Sequence, residues 1–296
     1  MSAGLRAALE AGLAARRGGS PRVVGSRAVG GGCIHRAEIV ELDDGSSLFV
    51  KSNAAAPPGM FEAEAAGLEA LAAVGAIRVP GDAWVGEGGG VRFLAMEAIE
   101  EGRRGRGLSR RFGRALAELH RGGRGERFGF AGDNFIGATP QPNPWTDDWV
   151  EFFRERRLGF QLDLARRHGR SDGTLDELGD RLLDRLGEWI DLPEEPPCLI
   201  HGDLWGGNYL VDAAGEPVLV DPAAYYAQRE AELGMTRLFG GFDADFHAAY
   251  EEAWPLPPGS AERQEIYSLY HLLNHLNLFG RGYRDQCVGV LRRLVA

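Results

Sequence analysis

The segment that most constrains the fold of this chain runs from His201 to Asn208 and reads His-Gly-Asp-Leu-Trp-Gly-Gly-Asn. An apolar run at residues 217–220 follows it and ends directly before Asp221. Asp221 lies thirteen residues after Asn208, which leaves room for a strand, a turn at residues 212–215 and a return strand. The sequence therefore predicts a β-hairpin with polar side chains at both of its ends.

The polar residues of this segment suit phosphoryl transfer. In enzymes that move the γ-phosphate of ATP, one aspartate meets the acceptor hydroxyl, while an asparagine and a second aspartate hold Mg²⁺. Asp203 is the candidate catalytic base, and Asn208 follows it at the five-residue offset of kinase catalytic loops. Asn208 and Asp221 are the candidate metal ligands. A hairpin with turn-forming Asp and Asn residues and no chemistry is the alternative.

The composition is typical of a soluble enzyme with more than one core. With 296 residues, the chain is longer than a usual single core, so two lobes are predicted. The net charge of −10 argues against binding to nucleic acid or to acidic membranes, because both require a basic surface. No segment approaches the roughly 20 apolar residues that span a bilayer. Neither nucleic acid nor a membrane is therefore an expected partner.

The cysteines indicate the cellular compartment. Cys33, Cys198 and Cys287 form neither a disulfide framework nor a metal-ligand spacing. The N-terminal residues have no uninterrupted apolar stretch of the kind that signal peptides carry. A reducing, cytoplasmic location is therefore expected.

The predicted elements begin with strands and continue mainly as helices. Leu5, Leu9 and Leu13 recur at helical spacing near the N-terminus. Strands are then predicted at residues 23–29, 39–42, 47–51, 83–85 and 91–96, with one helix at residues 61–74. After the Gly/Arg-rich residues 102–107, helices are predicted at residues 110–120, 147–167, 175–190, 242–253 and 261–279. The order of the first elements is that of the amino-terminal lobe of a kinase.

Two features of this first part are predicted to bind the phosphates of ATP. Gly30, Gly31 and Gly32 lie between two strands, where a backbone without Cβ atoms can approach phosphates closely. A plain glycine turn is the alternative. Lys51 ends the third strand, which is the position of the kinase lysine that reaches the α- and β-phosphates. A solvated strand end is the alternative for this lysine.

Two further features complete the predicted nucleotide site. Glu64, in the helix that follows, can pair with Lys51 and hold it in place, and Glu62 on another face is the competing choice. Residues 94–99 are apolar and then give way to charge and glycine, which suits a hinge between lobes. Its backbone at Met96, Glu97 and Ile99 is predicted to meet adenine. A buried strand that ends in a loop is the alternative.

With these residues in view, the chain resembles the fructosamine (ketosamine) kinases, a family within the aminoglycoside-phosphotransferase branch of the protein-kinase-like fold. The match spans nearly the whole chain. The Leu-Trp-Gly-Gly insert after Asp203, and the run from Asn134-Phe-Ile-Gly to Gln141-Pro-Asn, point to this family specifically. The other matching segments are residues 30–34, 49–53, 60–68, 128–130, 144–145, 148–150, 221–223, 238–242 and 270–280.

The resemblance implies a fold and an activity. The fold is α+β and bilobal, with a small β-rich amino-terminal lobe at residues 1–98 and a larger, mainly helical carboxy-terminal lobe at residues 99–296. The implied activity is transfer of the ATP γ-phosphate, with Mg²⁺, to a hydroxyl of a ketosamine or a glycated lysine, typically O3. The product is less stable and falls apart, so the activity amounts to deglycation. A monomer or a homodimer is expected.

Two other functions remain open at this point. The first is a kinase for an aminoglycoside or an amino alcohol, since an acidic chain can supply the acidic cleft that a polycation needs. The second is a non-catalytic regulator that binds a nucleotide. The regulator is disfavoured because Lys51, Asp203, Asn208 and Asp221 are all present.

Four further positions have candidate roles. Trp205 is a candidate wall for the sugar, with core packing as the alternative, and His275 is a candidate substrate contact, with a buried core histidine as the alternative. Glu232 stands where the family usually has an aspartate that braces the catalytic loop, which leaves its role open. Cys33 follows three glycines and is a candidate redox switch, because family members with a cysteine here resemble redox switches. A small loop residue of no consequence is the alternative.

Overall fold

The computed structural model describes residues 1–30 and 35–295. Its first part is a five-stranded antiparallel sheet in the order β1-β2-β3-β5-β4. The strands are β1 (Val23–Val29), β2 (Arg36–Leu42), β3 (Ser47–Asn53), β4 (Trp84–Gly88) and β5 (Val91–Glu97). Helix α1 (Ala3–Arg17) precedes the sheet, and α2 (Met60–Val74) connects β3 to β4. All of these elements were predicted from the sequence, with bounds that differ by a few residues.

The sheet is covered on both faces, and β5 shows why. Side chains alternate between the faces of a strand. Phe93 and Ala95 pack into a small core with the leucines of α1, whereas Leu94 and Met96 belong to the main core. The main core continues from α2 into the helices of the second part. A strand buried on both faces loses its polar alternation, which explains the apolar run at residues 93–96.

The second part of the chain is mainly helical. Its helices are α3 (Leu108–Gly122), α4 (Trp149–Phe153), α5 (Phe160–Arg167), α6 (Gly173–Arg185), α7 (Gly187–Ile190), α8 (Glu230–Leu238), α9 (Ala244–Ala253), α10 (Ser260–Phe279) and α11 (Arg284–Val295). A π-helical segment, Arg154–Gly159, joins α4 to α5, and a 3₁₀ turn, Arg281–Tyr283, precedes α11. The predicted α+β class is thereby confirmed. The predicted lobe boundary at residue 98 falls in the connection between β5 and α3.

Three short antiparallel pairs lie among these helices. They are β6 (Asn134–Ile136) with β7 (Thr139–Gln141), β8 (Cys198–Ile200) with β11 (Tyr225–Ala227), and β9 (Tyr209–Val211) with β10 (Pro217–Leu219). The β9–β10 pair is the predicted hairpin. Its turn is held by Asp212, whose Oδ1 accepts hydrogen bonds from the amides of Ala214 and Glu216.

Two helices were not predicted, and the helix predicted at residues 147–167 is interrupted by the π-helical segment. The first seven residues of α8 are all buried, so this helix lacks the polar face that gives a helical period. Helix α11 does have an amphipathic pattern, since Cys287, Val288 and Leu291 are buried. That pattern was present in the sequence and was missed. Among the described helices, none is long and apolar enough to cross a membrane.

Candidate active site

Lys51 lies at the centre of the candidate nucleotide site, and the sheet register puts it there. Its position on β3 directs the side chain away from α1, and only 6% of the residue is exposed. The ammonium is 2.6 Å from Glu64 Oε1 and 2.5 Å from Asp221 Oδ1. Burial by itself would lower the pKa of Lys51, but the carboxylates of Glu64 and Asp221 outweigh it and raise that pKa. The competing Glu62 instead pairs with Arg92.

Asp203 and Asn208 are in contact at the candidate catalytic loop. The side-chain amide of Asn208 donates to the Asp203 carbonyl oxygen at 2.9 Å and to Asp203 Oδ2 at 3.1 Å. Burial, together with the nearby charges of Asp221 and Glu232, raises the pKa of Asp203 well above its usual range. The arrangement gathers negative charge, and such a site suits a cation.

The donor set fits Mg²⁺ in particular. The Nδ2 of Asn208 is engaged with Asp203, which leaves its Oδ1 as a ligand. Asp221 uses Oδ1 for Lys51, and its side chain is 49% exposed. In the described part of the chain, no group of three or more His, Cys, Asp or Glu residues could hold a metal. Two protein oxygens are what Mg²⁺ needs when phosphates and water supply the remaining ligands.

His201 ties the loop to the segment after β10 that carries Asp221. Its ring is fully buried, and burial lowers the pKa of His201, so the ring is neutral. Nδ1 accepts a hydrogen bond from the Asp203 amide at 3.3 Å, and Nε2 donates to the Val220 carbonyl at 2.8 Å. Both ring nitrogens are therefore engaged within the protein, which suits a supporting role for His201 rather than proton transfer.

The backbone on both sides of this contact has a left-handed conformation. Asp221 has φ +58°, which is uncommon for a residue with a side chain. Gly202 has φ +83°, and a Cβ there would lie 2.1 Å from the Ala223 carbonyl oxygen. Only glycine fits at this crossing. The close approach lets the Ala223 amide donate to the His201 carbonyl, which aligns the two segments.

A buried amide network supports the segment after Asp221. Asn134 Nδ2 donates to the Ala224 carbonyl at 2.8 Å, and Gln141 Nε2 donates to the Ala223 carbonyl at 3.1 Å. Asn143 joins them through Asn134 Oδ1. The sequence marked these residues as family features but assigned them no role. The available signal was the grouping of side-chain amides at Asn134, Gln141 and Asn143, in and directly after two short strands.

Arg157 completes this network and was also missed by sequence reasoning. It is fully buried, and no carboxylate lies within ion-pair distance of it among the described residues. Its guanidinium donates to Asn143 Oδ1 at 2.6 Å and lies 3.9 Å from the centroid of the Tyr225 ring. The aromatic face and carbonyl dipoles take the place of a counter-ion. Arg157 lies in the π-helical segment, and no periodic pattern in the sequence predicts such a segment.

The predicted phosphate loop is only partly described. Gly30 follows β1 and is exposed, whereas Gly31, Gly32 and Cys33 lie outside the described residues. His35 lies just beyond them and packs on the Phe61 ring at 5.0 Å. Burial and the charge of Lys51 lower the pKa of His35. His35 is thus a neighbour of the candidate nucleotide site, and the sequence analysis did not identify it.

The predicted hinge residues differ in how many of their polar groups are already bound within the protein. Met96 is buried in the main core. The Glu97 amide donates to the Gly81 carbonyl, and its carboxylate binds Arg78 and the Gly81 amide. Ile99, beyond β5, has a main chain without a hydrogen-bond partner in the described residues. The contact of this segment with adenine therefore stays a prediction.

The two candidate substrate residues lie on the carboxy-terminal side of the loop. Trp205 is 40% exposed and its ring covers Gly207, so core packing is wrong for this residue. His275 is half-buried, with its ring 4.3 Å from the Phe239 ring and its Nδ1 donating to the His271 carbonyl. Burial lowers the pKa of His275. The structure does not bring His275 into direct contact with the catalytic loop.

The fold and this arrangement define a class of protein. A β-sheet lobe that carries a Lys–Glu pair, joined to a helical lobe that carries Asp203, Asn208 and Asp221, is a kinase-like phosphotransferase. The model of the fructosamine kinase family matches residues 7–296. The chain therefore belongs to the fructosamine kinase family, and it is a kinase.

Individual relatives agree with this assignment. The chain is 45% identical over 272 residues to a probable ketoamine kinase of Synechocystis. The aligned residues make up 92% of this chain and 90% of that relative. It is 44% identical over 277 residues to a chloroplastic protein-ribulosamine 3-kinase of Oryza sativa subsp. indica, and the alignment covers 93% of this chain and 80% of that relative. A Haemophilus somnus structure solved under the name of a fructosamine-3-kinase superimposes with a TM-score of 0.88 at 26% identity, covering 98% and 97% of the two chains.

Proposed function

We propose that this kinase transfers the γ-phosphate of ATP to the O3 hydroxyl of a ketosamine, such as ribulosyl- or fructosyl-lysine. The names of the relatives support the substrate class, and the 3-kinase name of the rice relative supports the position of the hydroxyl. Because the 3-phosphate of a ketosamine is unstable, the activity would release the amine and so reverse glycation. Free and protein-bound ketosamines both fall within this class.

The observation that carries the proposal is the contact between Lys51 and both Glu64 and Asp221, opposite the Asp203–Asn208 pair. Lys51 is held in place to bind the donor phosphates. Asp203 orients the sugar hydroxyl and takes its proton as the O3–phosphorus bond forms and the bond to the β,γ-bridging oxygen breaks. Positioning and charge stabilisation supply most of the acceleration in such reactions.

Mg²⁺ would be held by Asn208 and Asp221, and it would neutralise charge on the phosphates. The metal would also relieve the repulsion that raises the pKa of Asp203, because one of the causes of that shift is the Asp221 charge. Asp221→Ala should therefore abolish Mg²⁺-dependent turnover. An unchanged Mg²⁺ titration in this variant would place the metal site elsewhere.

The substrate is tested by comparing acceptors under one assay. ATP turnover should be high with ribulosyl- or fructosyl-lysine and near background with kanamycin. Mass spectrometry of the product should find one added phosphate, and degradation of that product should release lysine. Turnover of kanamycin, with no turnover of either ketosamine, would show that the enzyme belongs to the aminoglycoside class instead.

A further inference from the structure

A cavity of about 450 Å³ lies beside the catalytic loop, on the side of the segment that follows β5. We call it the loop-side cavity and define it by six of its lining residues, namely Arg104, Ser109, Tyr209, Gly241, Phe242 and Asp243. Its size falls within the range of small-molecule sites, which is roughly 300–1,000 Å³. The residues assigned so far to ATP, Mg²⁺ and the sugar do not line it.

The cavity is joined directly to the catalytic loop. Tyr209 follows the metal-ligand candidate Asn208, and its hydroxyl donates to the Gly241 carbonyl at 3.1 Å. Gly241 in turn packs against Gly206, where a Cβ would come within 2.9 Å of the Gly241 Cα. A molecule in the cavity would therefore lie next to the segment that follows Asp203.

The positive charge at the cavity is not paired with a carboxylate among the described residues. Arg103, Arg104 and Arg106 are exposed, and no carboxylate lies within ion-pair distance of them in the described part of the chain. Arg104 is the one of the three that lines the cavity, with its guanidinium 5.1 Å from the centroid of the Tyr209 ring. Three unpaired arginines are notable in a chain with a net charge of −10.

A negative charge lines the same cavity. Asp243 Oδ1 accepts from the Phe246 amide at 3.0 Å, and Oδ2 accepts from the Ser109 hydroxyl at 2.7 Å. Both partners are neutral, and no cation lies within ion-pair distance of Asp243 among the described residues. The aromatic rings of Tyr209 and Phe242, 5.4 Å apart, form an apolar wall.

We infer that the loop-side cavity binds the amino-acid end of a ketosamine, with Arg104 meeting its carboxylate and Asp243 its ammonium. This inference rests on the proposed function. A ketosamine carries a secondary amine that takes a proton, and a glycated free amino acid carries a carboxylate as well. The cavity offers one unpaired charge of each sign and an apolar wall, which matches such a zwitterion. Arginine is well suited to carboxylates because its planar donors bind both oxygens.

The test uses two substrates that differ only in the carboxylate, fructosylglycine and fructosylglycinamide. Wild-type enzyme should prefer fructosylglycine by about tenfold in kcat/KM, the usual effect of one charge-assisted contact. Arg104→Ala should bring this ratio close to one. Arg106→Ala is the matched control, because it removes the same charge from the same segment without altering the cavity lining, and it should keep the ratio.

Three results would overturn the inference. They are a wild-type ratio of one, an equal loss of the ratio in the Arg104 and Arg106 variants, and a raised KM for ATP in Arg104→Ala with the ratio intact. The last result would assign Arg104 to the nucleotide. Failure of the proposed function would look different, because the wild-type enzyme would then phosphorylate neither substrate nor ribulosyl-lysine.

Discussion

Glu232 on α8 accepts a hydrogen bond from the main-chain amide of His201, with 2.5 Å between the two atoms. The other oxygen of its carboxylate accepts from the Gly202 amide at 3.2 Å. The carboxylate is fully buried, and it fixes the peptide units that lead into Asp203. Glutamate therefore reaches the position that the resemblance assigned to an aspartate, and the longer side chain spans both amides.

Glu232→Gln should weaken this support. Glutamine keeps the size of the side chain but turns an NH₂ group toward amide donors, so one buried amide loses its acceptor. The free energy of unfolding should fall by about 1–3 kcal/mol, and kcat should fall by about tenfold. Chemical denaturation and steady-state kinetics measure the two effects. Glu232→Asp is the control and should lose less of both; a wild-type kcat in Glu232→Gln would contradict the bracing role.

Asp203→Asn should leave the fold and nucleotide binding nearly intact while it slows phosphoryl transfer. Asparagine retains an oxygen that can accept from Asn208, but it cannot take the proton of the sugar hydroxyl. General-base assistance is worth about 10²–10⁴-fold, so kcat should fall by that amount. Single-turnover kinetics and calorimetry with ATP would separate chemistry from binding. Retention of more than about half of wild-type turnover would exclude Asp203 as the base.

Arg78 connects the predicted hinge to the catalytic hairpin. Its guanidinium is 2.5 Å from Glu97 and 2.7 Å from Asp212. The ion pair with Glu97 is solvent-exposed, whereas the Asp212 side chain is only 9% exposed, so Arg78→Met should lower the free energy of unfolding by about 1–3 kcal/mol. It should also raise KM for ATP a few-fold, because the connection sets how the two lobes meet.

Arg111→Met is the matched control for that variant. Arg111 is similarly exposed and pairs with Glu216, but it joins α3 to the same hairpin and does not reach the hinge. Its KM for ATP should stay at the wild-type value. Equal KM values in the Arg78 and Arg111 variants would remove Arg78 from the positioning of the lobes.

The three cysteines should differ sharply in reactivity. Cys198 and Cys287 are fully buried, and burial raises the pKa of each thiol to about 12. Only the thiolate reacts, so both should resist iodoacetamide at pH 8 in the folded protein. Cys33 should react with iodoacetamide, and this expectation rests on the sequence alone. Mass spectrometry of labelled peptides checks this, and all three should react after denaturation.

The redox role of Cys33 is tested separately. Peroxide should lower kinase activity in the wild-type protein and produce a disulfide-linked dimer on a non-reducing gel, and a reductant should reverse both changes. Cys33→Ser should show neither effect. An equal loss of activity in the two proteins would mean that oxidation acts at another residue.

His271 on α10 should make the fold sensitive to acid. Burial, with smaller effects of His275 and Arg157, lowers the pKa of His271 to about 3, against 6.5 for an unperturbed histidine. The unfolded chain therefore binds this proton first as the pH falls. The contribution to stability is complete above pH 6.5 and is lost progressively between pH 6.5 and 3, by about 2 kcal/mol at pH 5.

His271→Gln is the variant that isolates this effect, since it cannot titrate. Melting temperatures at pH 7.5 and pH 5 should differ less in His271→Gln than in the wild-type protein. If the two proteins lose the same amount between these pH values, the acid sensitivity comes from other groups.

The sequence by itself determined the features that depend on local spacing. The five-residue offset from Asp203 to Asn208 and the hairpin before Asp221 follow from a loop, a turn and two short strands. Helices with one apolar face, such as α1 and α3, follow from the helical spacing of their apolar residues. The order of the first strands and of α2 gave the correct class of fold, because each element could be recognised without knowing its neighbours.

Tertiary structure decided which distant residues meet. The choice of Glu64 over Glu62 depends on which face of α2 packs against the sheet, and the role of Glu232 depends on where α8 crosses the catalytic loop. Arg157 is buried without a carboxylate because three aromatic rings converge on it from separate elements. Local patterns cannot contain these contacts, because they depend on burial and on the relative placement of elements, which are set only when the whole core packs.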